Sequence, residues 1–235
     1  MLAALAFLTP IGGARRPDGR TFAWFPVVGA LLGATLGLLW LGADRWWPPA
    51  VVGALVVVAD LGLTGMLHLD GLVDAADGLL PHLDRERRLE VMADPTIGAF
   101  ALAVATGTLL LRFAALASMR PDVALLAGLW CASRTLMAVT ARTVPYARAG
   151  GLAAAFQGGG AIGIATLGTA GSVALVLAAS GPVARGPVAL AAAVAAGVGV
   201  VALGRRKLGG YTGDVLGAAG VVAETVGLLV AAARW

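Results

Sequence analysis

Cysteine and charge are both scarce in these 235 residues, and each shortage excludes a class of chemistry. The one cysteine, Cys131, can form neither an internal disulfide nor a cysteine-built metal site. Charged residues make up 13% of the chain against 59% hydrophobic, which excludes an ordinary soluble domain of this size. Also missing is any internal repeat, so the inverted-repeat architecture of many transporters has no support. No soluble domain is long enough to fold alone, because the longest polar interruption runs only from His68 to about Thr96. Residues 1–235 are therefore read as a single membrane-embedded domain.

What is present is long apolar runs. A helix needs about 18 or more such residues to cross a hydrocarbon core of about 30 Å. Seven runs qualify, near Phe22 to Leu41, Ala50 to Leu67, Ile97 to Met119, Val123 to Ala141, Ala161 to Ser180, Pro187 to Leu203 and Val215 to Ala233. The expected fold is all-α, a polytopic membrane helix bundle of about seven transmembrane helices. Met1 to Pro10 is apolar but too short to span, and no Lys or Arg precedes it, so a short interfacial or re-entrant helix is expected rather than a cleaved secretory signal. Gly29, Gly33 and Gly37 share one helix face and predict a close helix contact. Gly213 and Gly217 are read the same way.

The net charge of +4 bears on orientation rather than on nucleic acid, for which no role is expected. Threading the runs puts Arg15, Arg16, Arg20, Arg85, Arg87, Arg88, Arg142, Arg148, Arg205, Arg206 and Lys207 on one side. Arg45, Arg120, Arg185 and Arg234 fall on the other. The first side is expected to be cytoplasmic, with the N-terminus inside and the C-terminus outside a bacterial cytoplasmic (inner) membrane.

In HLDGLVDAADG, His68 to Gly78, the acids Asp70, Asp74 and Asp77 stand at i, i+4 and i+7, one face of a helix. Carboxylates so close repel one another unless a cation sits on them, and hard oxygen donors suit Mg²⁺, Mn²⁺ or Ca²⁺. A merely solvated helix end would mix Lys, Ser and Gln into that stripe. Asp94 before Pro95 suits the N-cap and first turn of the next span. Its helix N-terminus would present a positive dipole end to phosphates, and Arg87 and Arg88 could grip their oxygens.

Asp60, Arg112 and Arg134 interrupt apolar runs, where an ionisable group is costly and faces the interior or a wet cavity. Arg112 is expected to snorkel or to pair with Asp60. Arg134 is the strongest functional candidate of the three. Two loops complete the pattern, TVPYARAGGL with Arg142, Tyr146 and Arg148, and LGGYTGDVLGA with Thr212 and Asp214. Both emerge on the side of the acids, where they offer arginines and glycine-rich backbone to phosphates.

FLTP at Phe7 to Pro10, TGMLHLDGLVDAADG at Thr64 to Gly78, RRLEVMADPTIGAF at Arg87 to Phe100, Arg134, the Pro145 to Leu152 segment and GGYTGDVLGA at Gly209 to Ala218 together resemble the cobalamin synthase family, the adenosylcobinamide-GDP ribazoletransferases. The resemblance runs along nearly the whole chain. It departs at Pro10, where the family pattern has Arg, so no role is carried over there.

The resemblance implies an enzyme that joins adenosylcobinamide-GDP to α-ribazole or α-ribazole 5′-phosphate, releasing GMP, in vitamin B12 biosynthesis. It implies Mg²⁺ as cofactor, the lipid bilayer as surroundings, and leaves a homo-oligomer open. On this reading Asp70, Asp74, Asp77 and Asp94 hold one or two ions, and Arg87, Arg134, Arg148, Tyr146, Thr212 and Asp214 bind substrate phosphates. Asp94 or His68 takes the hydroxyl proton, with orientation of Asp70 the other role for His68. Competing readings are a CDP-alcohol phosphotransferase, whose acidic signature has a different spacing, a cation transporter and a structural scaffold.

Overall fold

In a lipid environment the backbone must satisfy its own polar groups, so long Leu, Val, Ala and Gly blocks fold as helices. The computed structural model describes residues 1–11, 13, 20–148, 160–179 and 184–234. Among them the elements run α1 (Leu2–Leu8), a 3₁₀ turn (Thr21–Trp24), α2 (Phe25–Ala43), α3 (Pro49–Leu63), α4 (Leu67–Leu79), α5 (Arg85–Val91), α6 (Ala99–Ser118), α7 (Val123–Thr143), α8 (Ala161–Leu177), α9 (Arg185–Leu208) and α10 (Gly213–Ala232). Arg15, Arg16, Gly151, Leu152 and Ser180, used in the sequence reading, lie outside the described residues.

The protein is a polytopic membrane helix bundle. Helices form at all seven expected places, but five are long and apolar enough to cross a bilayer by themselves: Thr21–Ala43, α6, α7, α9 and α10. The helix at the fifth place, α8, has 17 residues. At the second place the helix stops early. The expected run to Leu67 ends at Leu63, and α4 leaves at 90° to α3.

That stop has a local cause. Gly65 and Met66 both take left-handed backbone, at φ of 57° and 59°. Met66 N–H donates to the Leu61 carbonyl at 2.8 Å and Gly65 N–H to the Gly62 carbonyl at 3.2 Å, the paired bonds of a Schellman ending. Thr64 Oγ1 donates to the Asp60 carbonyl at 2.7 Å, a second bond to the oxygen that already accepts from Thr64 N–H at 3.0 Å. The seven-residue α1 is too short to span, as expected, and its Phe7 ring packs on Phe22 and Phe25.

The bend lays α4 across the ends of its neighbours. Its Gly71 meets the first turn of α10, its Asp77 the first turn of α6, and its Leu79 carbonyl the last turn of α9. The glycine stripe of α2 packs as its spacing suggested. A Cβ at Gly33 would lie 2.3 Å from the Leu126 carbonyl oxygen, and one at Gly37 would lie 2.6 Å from Val123 Cα, both on α7.

Below α4 the interior charges form one closed network. Arg112 Nη1 pairs with Asp60 at 2.6 Å and its Nη2 with Glu224 at 2.5 Å, so the pairing of Arg112 with Asp60 is the outcome rather than snorkelling. Arg134 pairs with the other oxygen of Glu224. Trp130 Nε1 donates to Asp60 at 3.1 Å and Ser133 Oγ to Glu224 at 2.6 Å. Glu224, lodged in α10, was the member the sequence reading passed over, although the rule that marked Asp60 applies equally to a lone acid in an apolar run.

Two outcomes follow. Gly33→Val should lower the detergent unfolding midpoint and cost about 1–3 kcal/mol, because α2 and α7 must separate to admit the side chain. An unchanged midpoint would refute the contact. Glu224→Leu leaves two buried guanidinium groups short of a counter-charge and should cost about 3–5 kcal/mol in the same measurement, with Glu224→Gln milder.

Candidate active site on one face of the bundle

The site is assembled where α4 crosses α10. Gly71 has no side chain to hold the helices apart, and a Cβ there would sit 3.0 Å from the Asp214 carbonyl and 3.4 Å from Gly217 Cα. In return a Cβ at Gly217 would lie 3.2 Å from the His68 carbonyl. This close approach brings Asp214 up to Asp70 and Asp74. Asp70 is exposed and Asp74 half-buried. Burial, together with repulsion from Asp214, Asp70 and Asp77, pushes the Asp74 carboxyl up to about 6, against the attraction of Arg148.

Arg148 Nη2 reaches Asp214 Oδ2 at 3.4 Å, a loose and partly exposed pair. Thr212 is the N-cap of α10, its Oγ1 accepting from Val215 N–H at 3.2 Å while donating to Asp214 Oδ2 at 3.2 Å. The two glycine-rich loops are stitched together by main chain. Ala147 N–H donates to the Tyr211 carbonyl at 2.8 Å and Tyr211 N–H to the Pro145 carbonyl at 2.9 Å. The Tyr146 and Tyr211 rings meet edge to face at 5.2 Å, so Tyr146 braces this junction. Burial, with Tyr146 beside it, pushes the Tyr211 hydroxyl up to about 12.

Other expected site residues are placed differently. Asp77 is buried, its carboxylate accepting from Gly98 N–H at 2.6 Å and Ala101 N–H at 2.9 Å, so it caps α6 from across the fold. This corrects the capping assignment of Asp94, because α6 starts at Ala99 and not at Pro95. Asp94 is exposed and closes a turn on Thr96, whose hydroxyl and N–H hold its carboxyl below the usual range.

Arg87 points away to Glu90 at 2.9 Å, an exposed pair within one helix. Arg134 is 1% exposed and its guanidinium is taken by Glu224, so it is not brought to this face. His68 is buried with neither ring nitrogen bonded to protein, and it lines the interior cavity rather than orienting Asp70.

Three further basic residues frame the site, of which only Arg88 was named, beside Arg87, as a possible grip on phosphate. Arg85 Nε donates to the Leu208 carbonyl at 2.8 Å and its Nη2 to the Ala147 carbonyl at 2.7 Å, tying α5 to both loops. Arg88 Nη1 donates to the Gly78 carbonyl at 2.7 Å and Lys207 Nζ to the Leu79 carbonyl at 2.5 Å, satisfying the free acceptors at the end of α4. The partners of Arg85 lie 123 and 62 residues away, beyond the reach of any spacing rule.

Among the described residues no three carboxylate, imidazole or thiol groups are placed to hold a metal ion together. The arrangement is instead an open acidic face of Asp70, Asp74 and Asp214 edged by Arg148. An open face suits Mg²⁺, which keeps waters and is commonly held by one or two carboxylates together with substrate phosphates.

Comparison with known proteins bears on what such a face acts on. Residues 1–232 match the profile of a family described as cobalamin-5-phosphate synthase. The chain is 37% identical over 210 residues to the adenosylcobinamide-GDP ribazoletransferase of Chlorobium phaeovibrioides, covering 86% of this chain and 82% of that one. It is 33% identical to the protein of that name in Acetivibrio thermocellus, covering 94% and 89%. With the Bradyrhizobium diazoefficiens protein of that name it shares 36% identity, covering 98% and 91%. No solved structure matches the chain significantly.

The packing of Gly71 yields a direct test. Gly71→Val should force α4 away from Asp214 and lower turnover by about 10²-fold, since a displacement near 1 Å can cost that much. Retained activity would show that the Asp214 contact does not set the site. Arg85→Ala should raise KM more than it lowers kcat, because it loosens both loops without removing a carboxylate.

Proposed function

Because the chain belongs to the cobalamin-5-phosphate synthase family, we infer that its acidic face joins adenosylcobinamide-GDP to α-ribazole or α-ribazole 5′-phosphate and releases GMP. The observation that carries the site assignment is the meeting of Asp70, Asp74 and Asp214 beside Arg148, on the side of the bundle where both loops emerge.

In this reaction the ribazole hydroxyl oxygen forms a bond to the phosphorus that bears the cobinamide. The bond from that phosphorus to the oxygen of GMP breaks, and the hydroxyl proton passes to a base or to water. Negative charge has to be neutralised on the transferred group and on departing GMP. Arg148 stands where it can give its guanidinium to a phosphate oxygen by exchanging the loose Asp214 pair. Thr212 and the backbone of the Gly209 to Asp214 turn frame the same position.

Mg²⁺ is the proposed cofactor, held by Asp70 and Asp74 together with substrate phosphates, and when bound it supplies charge neutralisation on the phosphates. Burial first, and then repulsion from Asp214, Asp70 and Asp77, raises the Asp74 carboxyl to about 6, and a cation bound there would relieve both. Asp77 completes the acid stripe but spends both oxygens on α6, and its part is to fix where α4 meets α6. Asp94, exposed and held ionised by Thr96, is the proposed acceptor of the hydroxyl proton or a ligand to a second ion. The excess of Arg and Lys in the loops at the α4 end supports a cytoplasmic site in a bacterial inner membrane, with the N-terminus inside.

Purified protein supplied with adenosylcobinamide-GDP, α-ribazole and Mg²⁺ should release GMP and form the joined product. Omission of Mg²⁺ should abolish this, and Asp74→Asn should reduce it by at least about 10²-fold with the protein still folded. Near-normal turnover of Asp74→Asn would sink the metal assignment. Comparing Asp94→Asn across pH separates a base from a ligand, since loss of a ligand is relieved by raised Mg²⁺ and loss of a base is not.

A further inference from the structure

His68 is the buried group the reaction leaves unused. Its residue is 4% exposed, and both imidazole nitrogens are enclosed without a protein partner. A buried polar group without a partner carries a desolvation cost that a folded protein normally offsets with a bond to protein or to ordered water. The ring faces a small cavity shared with Asp60, Thr64, Arg112, Arg134 and Glu224, whose free volume admits about one water molecule. Arg134 contributes a second orphan there, since its Nε is also buried without a partner. A buried water needs roughly two to four polar partners, and this cavity offers them on several sides.

We propose that this cavity is a binding site for one ordered water that bridges the His68 imidazole to the Arg134 and Glu224 side of the ion network, making His68 a positioning residue for α4. The mechanical consequence is local. His68 lies in the first turn of α4, just after the bend at Gly65 and Met66, and its backbone abuts Gly217. Two residues on is Asp70 and six on is Asp74. A bridged imidazole ties the first turn of α4 to α7 and α10, whose side chains Arg134 and Glu224 cannot move without breaking their own pair. The acids would then be held by the network beneath them as well as by the glycine contact beside them. His68 on this account touches no substrate. The functional part of the inference rests on the proposed reaction, whereas the water site itself does not.

The chain has two histidines, His68 and the exposed-loop His82, so ¹⁵N-histidine labelling in lipid nanodiscs gives two ring systems, assigned with His82→Gln. The result expected is a His68 ring N–H with a magnetisation-transfer peak to a long-lived water, lost in Glu224→Gln. A ring N–H with no water contact would overturn the site whatever the activity.

In the transferase assay, His68→Leu should lower kcat by about tenfold with both KM values within about twofold, in the range seen when a supporting bond to a site is removed. His68→Gln, which keeps a donor and an acceptor, should recover most of that loss. A Gln variant as poor as the Leu variant, or a Leu variant equal to wild type, would overturn the positioning role. Should His68→Leu fail to fold, the Gln variant and the water contact still decide. Failure of wild type to release GMP would overturn the proposed reaction and leave the water result standing.

Discussion

The turn at Thr64 to Met66 is the constraint on which the rest of the arrangement depends. A helix of Pro49 to Leu63 composition would, by apolarity alone, run on, and the HLDG acids would then leave the membrane along its axis. The Schellman bonds and two successive left-handed residues stop it. Met66 carries a side chain in a conformation that costs roughly 1–3 kcal/mol for residues other than glycine, so the surrounding packing must over-determine it. That packing is visible in Pro10, which sits where a Cβ on Gly65 would reach it at 2.9 Å, and in the ion network anchored by Asp60 one turn earlier. Because the chain turns here, α4 lies flat and can touch α6, α9 and α10 at once.

Once α4 lies flat, each of its faces has a separate task. Leu72, Ala75 and Leu79 are buried, as an amphipathic helix resting on a bundle requires. Gly71 and Gly78 are the two points of closest approach, to α10 and to Met92. Asp77 anchors α6, which leaves Asp70 and Asp74 to face outward with Asp214. The spacing i, i+4, i+7 that marked three equivalent acids in the sequence thus divides into one structural carboxylate and two open ones.

Much of this was legible beforehand, for stated reasons. Apolar run length located the helices, because crossing a bilayer fixes a minimum length, and the glycine stripe of α2 announced its contact because only hydrogen-sized side chains allow it. The pattern of acids named α4 as the chemical element. What sequence order could not reveal was contact between distant segments. Asp214 belongs beside Asp74 rather than only near phosphates, Asp77 rather than Asp94 caps α6, and Arg134 answers to Glu224. Each of these pairings crosses between helices, and helical periodicity carries no information about which helix comes to lie alongside. Nothing in the sequence marks which side of α5 faces the bundle, so Arg85, Arg87 and Arg88 cannot be told apart before the fold is known.

The two charge systems of the molecule differ in a way that bears on mechanism. In the interior, Asp60 and Glu224 are matched by Arg112 and Arg134, so the charges sum to zero, as a low-dielectric surrounding demands. At the face, Asp70, Asp74 and Asp214 outnumber Arg148, and partial burial together with this imbalance raises the Asp74 carboxyl. A pyrophosphate is itself anionic and would be repelled by such a surface. A cation that comes with the substrate or waits for it would remove that repulsion, and this, more than the identity of any single ligand, is the physical reason the proposed chemistry includes Mg²⁺ between protein and phosphate.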